Sequence, residues 1–227
     1  MIRWHNQDFS GRSKSLIVAM AGMVVKTPGK FEWENTWTYK YKNLDYKKFY
    51  VADRRKSWWW GMKEKELEKY DPGYGPFALA QFMKEKIDEA NVEQFAVMGL
   101  SMGGYGAIML GTLLEADEVI AYSPQTWLTT FRMEKAKLKK KYEGLNIDME
   151  ITDLRNFIEK YQNKKTIYRI YYGEGNKSDS KAAKNLDEFD NVKLYPIPSK
   201  KHTVAGILIQ DGTVSNLIKK FIERKEL

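Results

Sequence analysis

The sequence predicts an α/β fold, a three-layer α/β/α sandwich around a mostly parallel central sheet. Apolar segments of strand length alternate with segments of helix length, the pattern left by parallel strands joined through covering helices. A Gly-x-Ser-x-Gly run, Gly99-Leu100-Ser101-Met102-Gly103, stands between one such strand and one such helix. The size agrees: 227 residues, 43% of them hydrophobic, supply one core. A single domain over residues 1–227 is expected, with an insertion at about 125–164 that acts as a cap.

The elements follow in order. Ser15 to Met20 is a β-rich run that stops at Ala21-Gly22, and Lys48 to Ala52 is a second strand closed by Asp53-Arg54-Arg55. Pro76 to Ala90 places Leu79, Phe82, Met83 and Ile87 on one helical face. Gln94 to Met98 is a strand and Gly103 to Leu114 a helix of small residues. The strand Glu118 to Tyr122 ends at Ser123-Pro124, where proline interrupts a ladder. Lysine-rich sequence from Gln125 to about Lys164 reads as one or two helices over the sheet with a solvated basic face. Thr166 to Tyr172 returns as a strand, Gly173-Glu174-Gly175 turns, and Ser180 to Phe189 reads as helical. Val192 to Tyr195 is the last strand, and Val214 to Glu223 closes the chain as a helix with Leu217, Ile218, Phe221 and Ile222 on one side.

Composition excludes several classes of function. The chain has no cysteine, so disulfides and thiolate chemistry are absent, and two histidines do not make the usual structural zinc site. No cofactor is expected. The longest apolar run, Leu16 to Val25, is about half the ~20 residues that a membrane span requires. Arg3, Arg12 and Lys14 ahead of that run imitate a leader peptide, but Ala19-Met20-Ala21 falls inside the apolar stretch and Asp8 interrupts the basic one, so the segment reads as a buried strand and the protein as cytoplasmic. A net charge of +8 favours an anionic partner without choosing among nucleic acid, membrane and acidic glycan. Interleaved Lys, Tyr and Trp from Lys30 to Tyr50 match a nucleic-acid surface by composition alone, with no recognised module, and nucleic acid is not the expected partner.

The Gly-x-Ser-x-Gly run carries the chemistry. A serine at the apex of a sharp strand-to-helix turn occupies a strained backbone conformation, tolerable where the flanking residues have almost no side chain, as Gly99 and Gly103 do. The helix N-terminus beyond it offers unpaired N–H groups to an oxyanion. Ser101 is therefore a candidate nucleophile, and a nucleophilic serine needs a base, for which histidine is suited near neutral pH. His202 follows the last strand through Pro196 to Lys201, a loop able to reach the carboxyl ends of the sheet, whereas His5 precedes the strand Ser15 to Met20 and reads as partly packed. The acid that orients the imidazole belongs in the loop after the Thr166 to Tyr172 strand, where Asp179 and Glu174 both stand. Asp179 is better placed, past the glycine turn and ahead of a helix beginning near Lys181.

The order Ser101, Asp179, His202 and the strand-elbow-helix context resemble the α/β-hydrolase family over most of the chain. The resemblance implies attack by Ser101 on an acyl carbonyl, an acyl-enzyme, and its release by water activated through His202. It implies oxyanion donors at the N–H of Met102 and, from the loop after Met20, the N–H of Met23, although Ala21 stands where the family often has His before Gly22. The insertion from Gln125 to Lys164 matches the position of the family's variable cap. The expected substrate is an acyl ester of a small molecule or an acylated sugar, which makes the chain a carboxylesterase. A thioesterase or acyltransferase uses the same three residues, and a non-catalytic protein that holds an anionic polymer on this scaffold is the alternative from another class.

Three adjacent indoles, Trp58-Trp59-Trp60, follow the second strand where a loop overhangs the active edge of such a sheet, and are candidates for substrate contact. The run Lys135 to Lys141 reads as a solvated helix face. Gly73-Tyr74-Gly75 follows no strand and Gly175-Asn176-Lys177-Ser178 lacks the first glycine of a phosphate loop, so neither signals nucleotide binding.

Overall fold

The computed structural model describes residues 3–23, 31, 33–34, 41, 43–70, 74–128, 150–161 and 165–224. Seven strands are described: β1 (His5–Asp8), β2 (Ser15–Met20), β3 (Lys47–Val51), β4 (Gln94–Leu100), β5 (Glu118–Tyr122), β6 (Ile167–Gly173) and β7 (Val192–Ile197). Their spatial order is β1-β3-β2-β4-β5-β6-β7. Every neighbouring pair is parallel except β1, which runs antiparallel to β3 on the edge. The helices are α1 (Pro76–Ala90), α2 (Met102–Leu113), α3 (Leu154–Tyr161), α4 (Lys177–Lys184), α5 (Val204–Gln210) and α6 (Thr213–Ile222).

The α/β sandwich expected from the sequence is thus the fold. Residue alternation in β2 explains its two cores: Leu16, Val18 and Met20 face one side, Ile17 and Ala19 the other, and all are buried. A strand covered on both faces has no polar face to alternate with, so it reads as a continuous apolar run. The first core lies under α1, α2 and α3; the second lies under α5 and α6.

Helix α2 is buried through Thr112 and fits by small residues. A Cβ on Gly106 would stand 2.3 Å from the Trp59 indole nitrogen, so only glycine admits the ring there.

Three elements differ from expectation. Strand β1 gave no sequence signal because its four residues are polar and all half-buried, and only its register opposite Tyr50 and Val51 makes it a strand. Helix α5 follows His202 directly, where no helix was expected. Helix α4 begins at Lys177 and not near Ser180, because Asn176 caps it: its side-chain oxygen accepts the N–H groups of Ser178 and Asp179.

Of the segment expected to form an insertion, residues 125–128 and 150–161 are described. They pack on α2, with Tyr105 Oη donating to the Thr152 carbonyl at 3.1 Å and Phe157 edge-on to Trp60. The run Lys135 to Lys141 lies outside the described residues.

At the amino end of β5, Glu118 and Arg169 form an ion pair of 3.0 Å, their side chains 12% and 7% exposed, and Arg169 also donates to Tyr195 Oη at 2.7 Å. Burial pushes the Glu118 carboxyl up, opposed by the guanidinium. Removing one partner strands a buried charge, so Glu118→Ala is expected to cost about 3 kcal/mol in urea unfolding. A loss below about 0.5 kcal/mol would mean the pair is screened as surface pairs are.

Candidate functional site

Strand β4 ends at Ser101, whose φ of 57° and ψ of −115° lie in a sparsely populated region. Such a residue persists only where its surroundings force it, at a cost of about 1–3 kcal/mol. Here the force is steric. A Cβ on Gly99 would lie 2.3 Å from the backbone carbon and oxygen of Gly103, and one on Gly103 would lie 2.3 Å from the Met20 carbonyl oxygen. The turn is also tied at both ends. The Ser101 N–H donates to the Tyr122 carbonyl at 2.9 Å, and the Tyr105 N–H donates to the Ser101 carbonyl at 3.0 Å to open the helix.

The close fit of Gly103 against Met20 and Ala21 sets the first turn of α2 beside the loop that follows β2. The segments expected to supply Met102 N–H and Met23 N–H are therefore neighbours. Met102 is the first residue of α2, where an N–H has no partner within the helix. The Ala21 N–H is already spent on the Val51 carbonyl at 2.8 Å, and Met23 is half-buried against the first core.

The loop after β7 folds back across the end of β6. The Glu174 N–H donates to the Ile197 carbonyl at 3.0 Å and the Gly175 N–H to the Ser199 carbonyl at 3.1 Å. A Cβ on Gly173 would meet the carbonyl oxygens of Ser199 and Lys201 at 2.7 and 2.8 Å. His202 thereby follows the carboxyl ends of the parallel strands, as Ser101 does, although no hydrogen bond joins their side chains among the described residues. Its Nδ1 lies 2.9 and 3.0 Å from the two oxygens of Asp179.

The Asp179 side chain is 2% exposed and that of His202 40%. Asp179 sits in the first turn of α4, where the dipole favours a negative charge. An ionised carboxylate only accepts, so an imidazole bound to it through Nδ1 donates from that nitrogen and, when neutral, presents its lone pair at Nε2.

Of the two carboxylates weighed from the sequence, Asp179 meets the imidazole and Glu174 is exposed on the turn. Asp179 does not cap α4; Asn176 does. His5 lies in β1, three strands from β4, or about 14 Å at ~4.8 Å per strand. Its ring packs against Trp4, Phe49 and Phe82, and burial lowers its pKa.

Trp58, Trp59 and Trp60 do not overhang the site as exposed side chains: they are 5%, 0% and 4% exposed and belong to the first core. Trp59 Nε1 donates to the Met102 carbonyl at 2.9 Å and Trp60 Nε1 to Tyr105 Oη at 2.8 Å, so the contacts the structure gives them brace α2. Their loop turns through positive φ at Lys56, Trp58 and Trp59. Asp53, which the sequence showed only as a strand end, holds it: its carboxylate accepts from the N–H of Arg55, Ser57 and Trp59 and from Ser57 Oγ. Burial pushes the Asp53 carboxyl up, and those donors oppose the shift.

Ser123 is a second residue the sequence did not single out. It has φ of 41°, and its buried Oγ has no hydrogen-bond partner among the described residues. The signal in the sequence was only the Ser123-Pro124 break at a strand end.

Among the described residues no group of three His, Asp or Glu side chains is placed to hold a metal ion, and no helix is long and apolar enough to cross a membrane.

No protein-family model and no curated protein matches the chain. Solved structures do. The capsule O-acetyltransferase of Neisseria meningitidis serogroup A superposes with a TM-score of 0.69 at 16% identity, over 95% of this chain and 90% of that one. An α/β-hydrolase enzyme from the metagenome of sediments of the Mar Chica lagoon, Morocco, does so with 0.58 at 16% identity, over 97% and 94%. A lipase-esterase related protein from Clostridium acetobutylicum gives 0.57 at 14% identity, over 97% and 99%. The chain has the α/β-hydrolase fold.

Proposed function

We propose that the protein is a serine hydrolase, a carboxylesterase that cleaves an acyl ester of a small molecule or an acylated sugar. One observation carries the reading: a serine held at positive φ on a strand-to-helix turn stands at the carboxyl end of the parallel strands, the end that also carries an imidazole whose Nδ1 is bound by a buried carboxylate.

In this mechanism the Ser101 hydroxyl loses its proton to His202 Nε2 as Oγ bonds to the acyl carbon. The oxyanion that forms is met by the N–H groups of Met102 and Met23. The protonated imidazole then gives its proton to the departing alkoxide, leaving an acyl-enzyme and a free alcohol. Water enters, loses a proton to His202, and the acid departs as Ser101 regains its hydrogen. Asp179 stabilises the imidazolium at both stages.

An acyltransferase runs the same cycle with an alcohol in place of that water. The likeness to the Neisseria capsule O-acetyltransferase favours this second reading. Supplying a thioester, an aryl ester and a sugar alcohol together, and following whether the acyl group goes to water or to the sugar, separates hydrolase, thioesterase and transferase.

The direct test is a fluorophosphonate probe, which labels a primed serine. The wild type is expected to label and Ser101→Ala to lose the label. Equal labelling of both, or none of either with no turnover of an activated ester, overturns the reading and leaves a binding protein on a hydrolase scaffold.

A further inference from the structure

Directly behind Asp179, the outer side of α4 forms one wall of an open groove of about 530 Å³. Lys177, Lys181 and Lys184 recur at i, i+4 and i+7, one stripe of the helix, while Asp179 points inward on the opposite side. The facing wall is the half-buried indole of Trp127, and Ser180 and Asn185 add polar groups. Trp127 is held in place: Thr126 Oγ1 donates to the Ala182 carbonyl of α4 at 2.8 Å, and the Leu154 N–H donates to the Thr126 carbonyl at 2.7 Å. The Lys181 ammonium lies 5.5 Å from the indole centroid. Among the described residues these three lysines have no ion-pair partner, whereas Lys69, Lys84 and Lys86 each hold a glutamate or aspartate. Lys181 and Lys184 suit the carboxyl-terminal turn of α4, yet among the described residues no carboxylate pairs with the row beside this braced aromatic plane.

We infer that this groove binds a strand of acidic glycan, with a sugar ring stacked on Trp127 and its carboxylate or phosphate groups on Lys177, Lys181 and Lys184. The indole offers a flat apolar face to the C–H side of a pyranose, and the lysines match acid groups along a stretch of about 10 Å at 1.5 Å per residue. A nucleic-acid strand fits less well: such grooves stack successive bases on several aromatics, and here, among the described residues, one indole stands with the Glu174 carboxylate at the groove's end. Glu174 also ties the groove to the proposed site, since the turn it occupies supports the loop leading to His202. The inference rests on the proposed acyl chemistry only for the acyl group the glycan would carry.

Binding is read apart from turnover, with Ser101→Ala as the host and fluorescent oligogalacturonate as the probe. An equal-length neutral dextran oligosaccharide and a single-stranded oligonucleotide serve as comparisons. The acidic oligosaccharide is expected to bind best and to weaken between about 50 and about 200 mM salt. In the same host, Trp127→Ala and, separately, the triple change Lys177→Gln, Lys181→Gln, Lys184→Gln are each expected to weaken it by about tenfold or more. Trp127→Tyr and Lys181→Arg are expected to retain it. The triple change touches only exposed side chains, so it stands if Trp127→Ala unfolds. Equal binding of dextran, tighter binding of the oligonucleotide, or variants that bind like their host overturn the inference. Failure of the probe to label Ser101 defeats the acyl reading and leaves this binding result untouched.

Discussion

Replacing Asp179 with asparagine is expected to lower kcat on an activated ester by about 10⁴ while leaving the thermal unfolding curve close to that of the wild type. The two side chains have nearly the same shape, so the small space at the first turn of α4 stays filled and the cap from Asn176 is untouched. What changes is the proton. The carboxylate accepts from Nδ1 at 2.9 and 3.0 Å and so keeps hydrogen on that nitrogen. An amide can present its own N–H there, which turns Nδ1 into the acceptor and puts the hydrogen on Nε2, where it blocks transfer from Ser101. The asparagine also carries no charge to stabilise the imidazolium. A fall of less than tenfold in the folded variant would show that His202 does not depend on this contact and would remove Asp179 from the mechanism.

Gly99→Ala is expected to be strongly destabilising for a single added methyl. Its Cβ would stand 2.3 Å from the carbon and oxygen of Gly103 and 2.9 Å from the nitrogen of Gly104. All three are backbone atoms, so no rotamer change relieves the clash. The first turn of α2 must move, yet Gly103 already abuts Met20, and the Trp59 indole is bonded to the Met102 carbonyl. Overpacking of this kind costs about 3 kcal/mol or more where the surroundings cannot yield. Denaturant unfolding reads the loss, and the folded fraction should show no labelling at position 101, because relief of the clash displaces the serine. A variant within about 1 kcal/mol of the wild type would mean that the elbow is not held by this fit.

How much of this was legible depended on the range of the interaction. The elbow was readable because its constraint acts over five consecutive residues, from Gly99 to Gly103, and its strand and helix are apolar enough to declare themselves. Strand β1 was not, since four polar residues become a strand only through pairing with β3. The start of α4 was misplaced by three residues because the cap at Asn176 is an interaction of one side chain with two amides.

Aromatic content and a place in the loop after β3 suggested that the Trp58 to Trp60 run contacts substrate; a carboxylate at Asp53, collecting four donors, folds that loop inward so that the indoles brace α2. The groove beside α4 was invisible for the same reason, since Trp127 and the lysine stripe belong to segments that meet through Thr126 and Ala182, 56 positions apart.

Periodicity and the steric demand of a tight turn are properties of neighbours along the chain, and they determined the fold class and the serine at its bend, while order along the chain made His202, Asp179 and Glu174 candidates to serve it. The sequence already favoured Asp179 over Glu174, and what the tertiary structure decided is the contact of Asp179 with the imidazole. Both carboxylates follow β6, and only the crossing of the β7 loop over that strand, with α4 turning Asp179 inward, sets one of them against the ring.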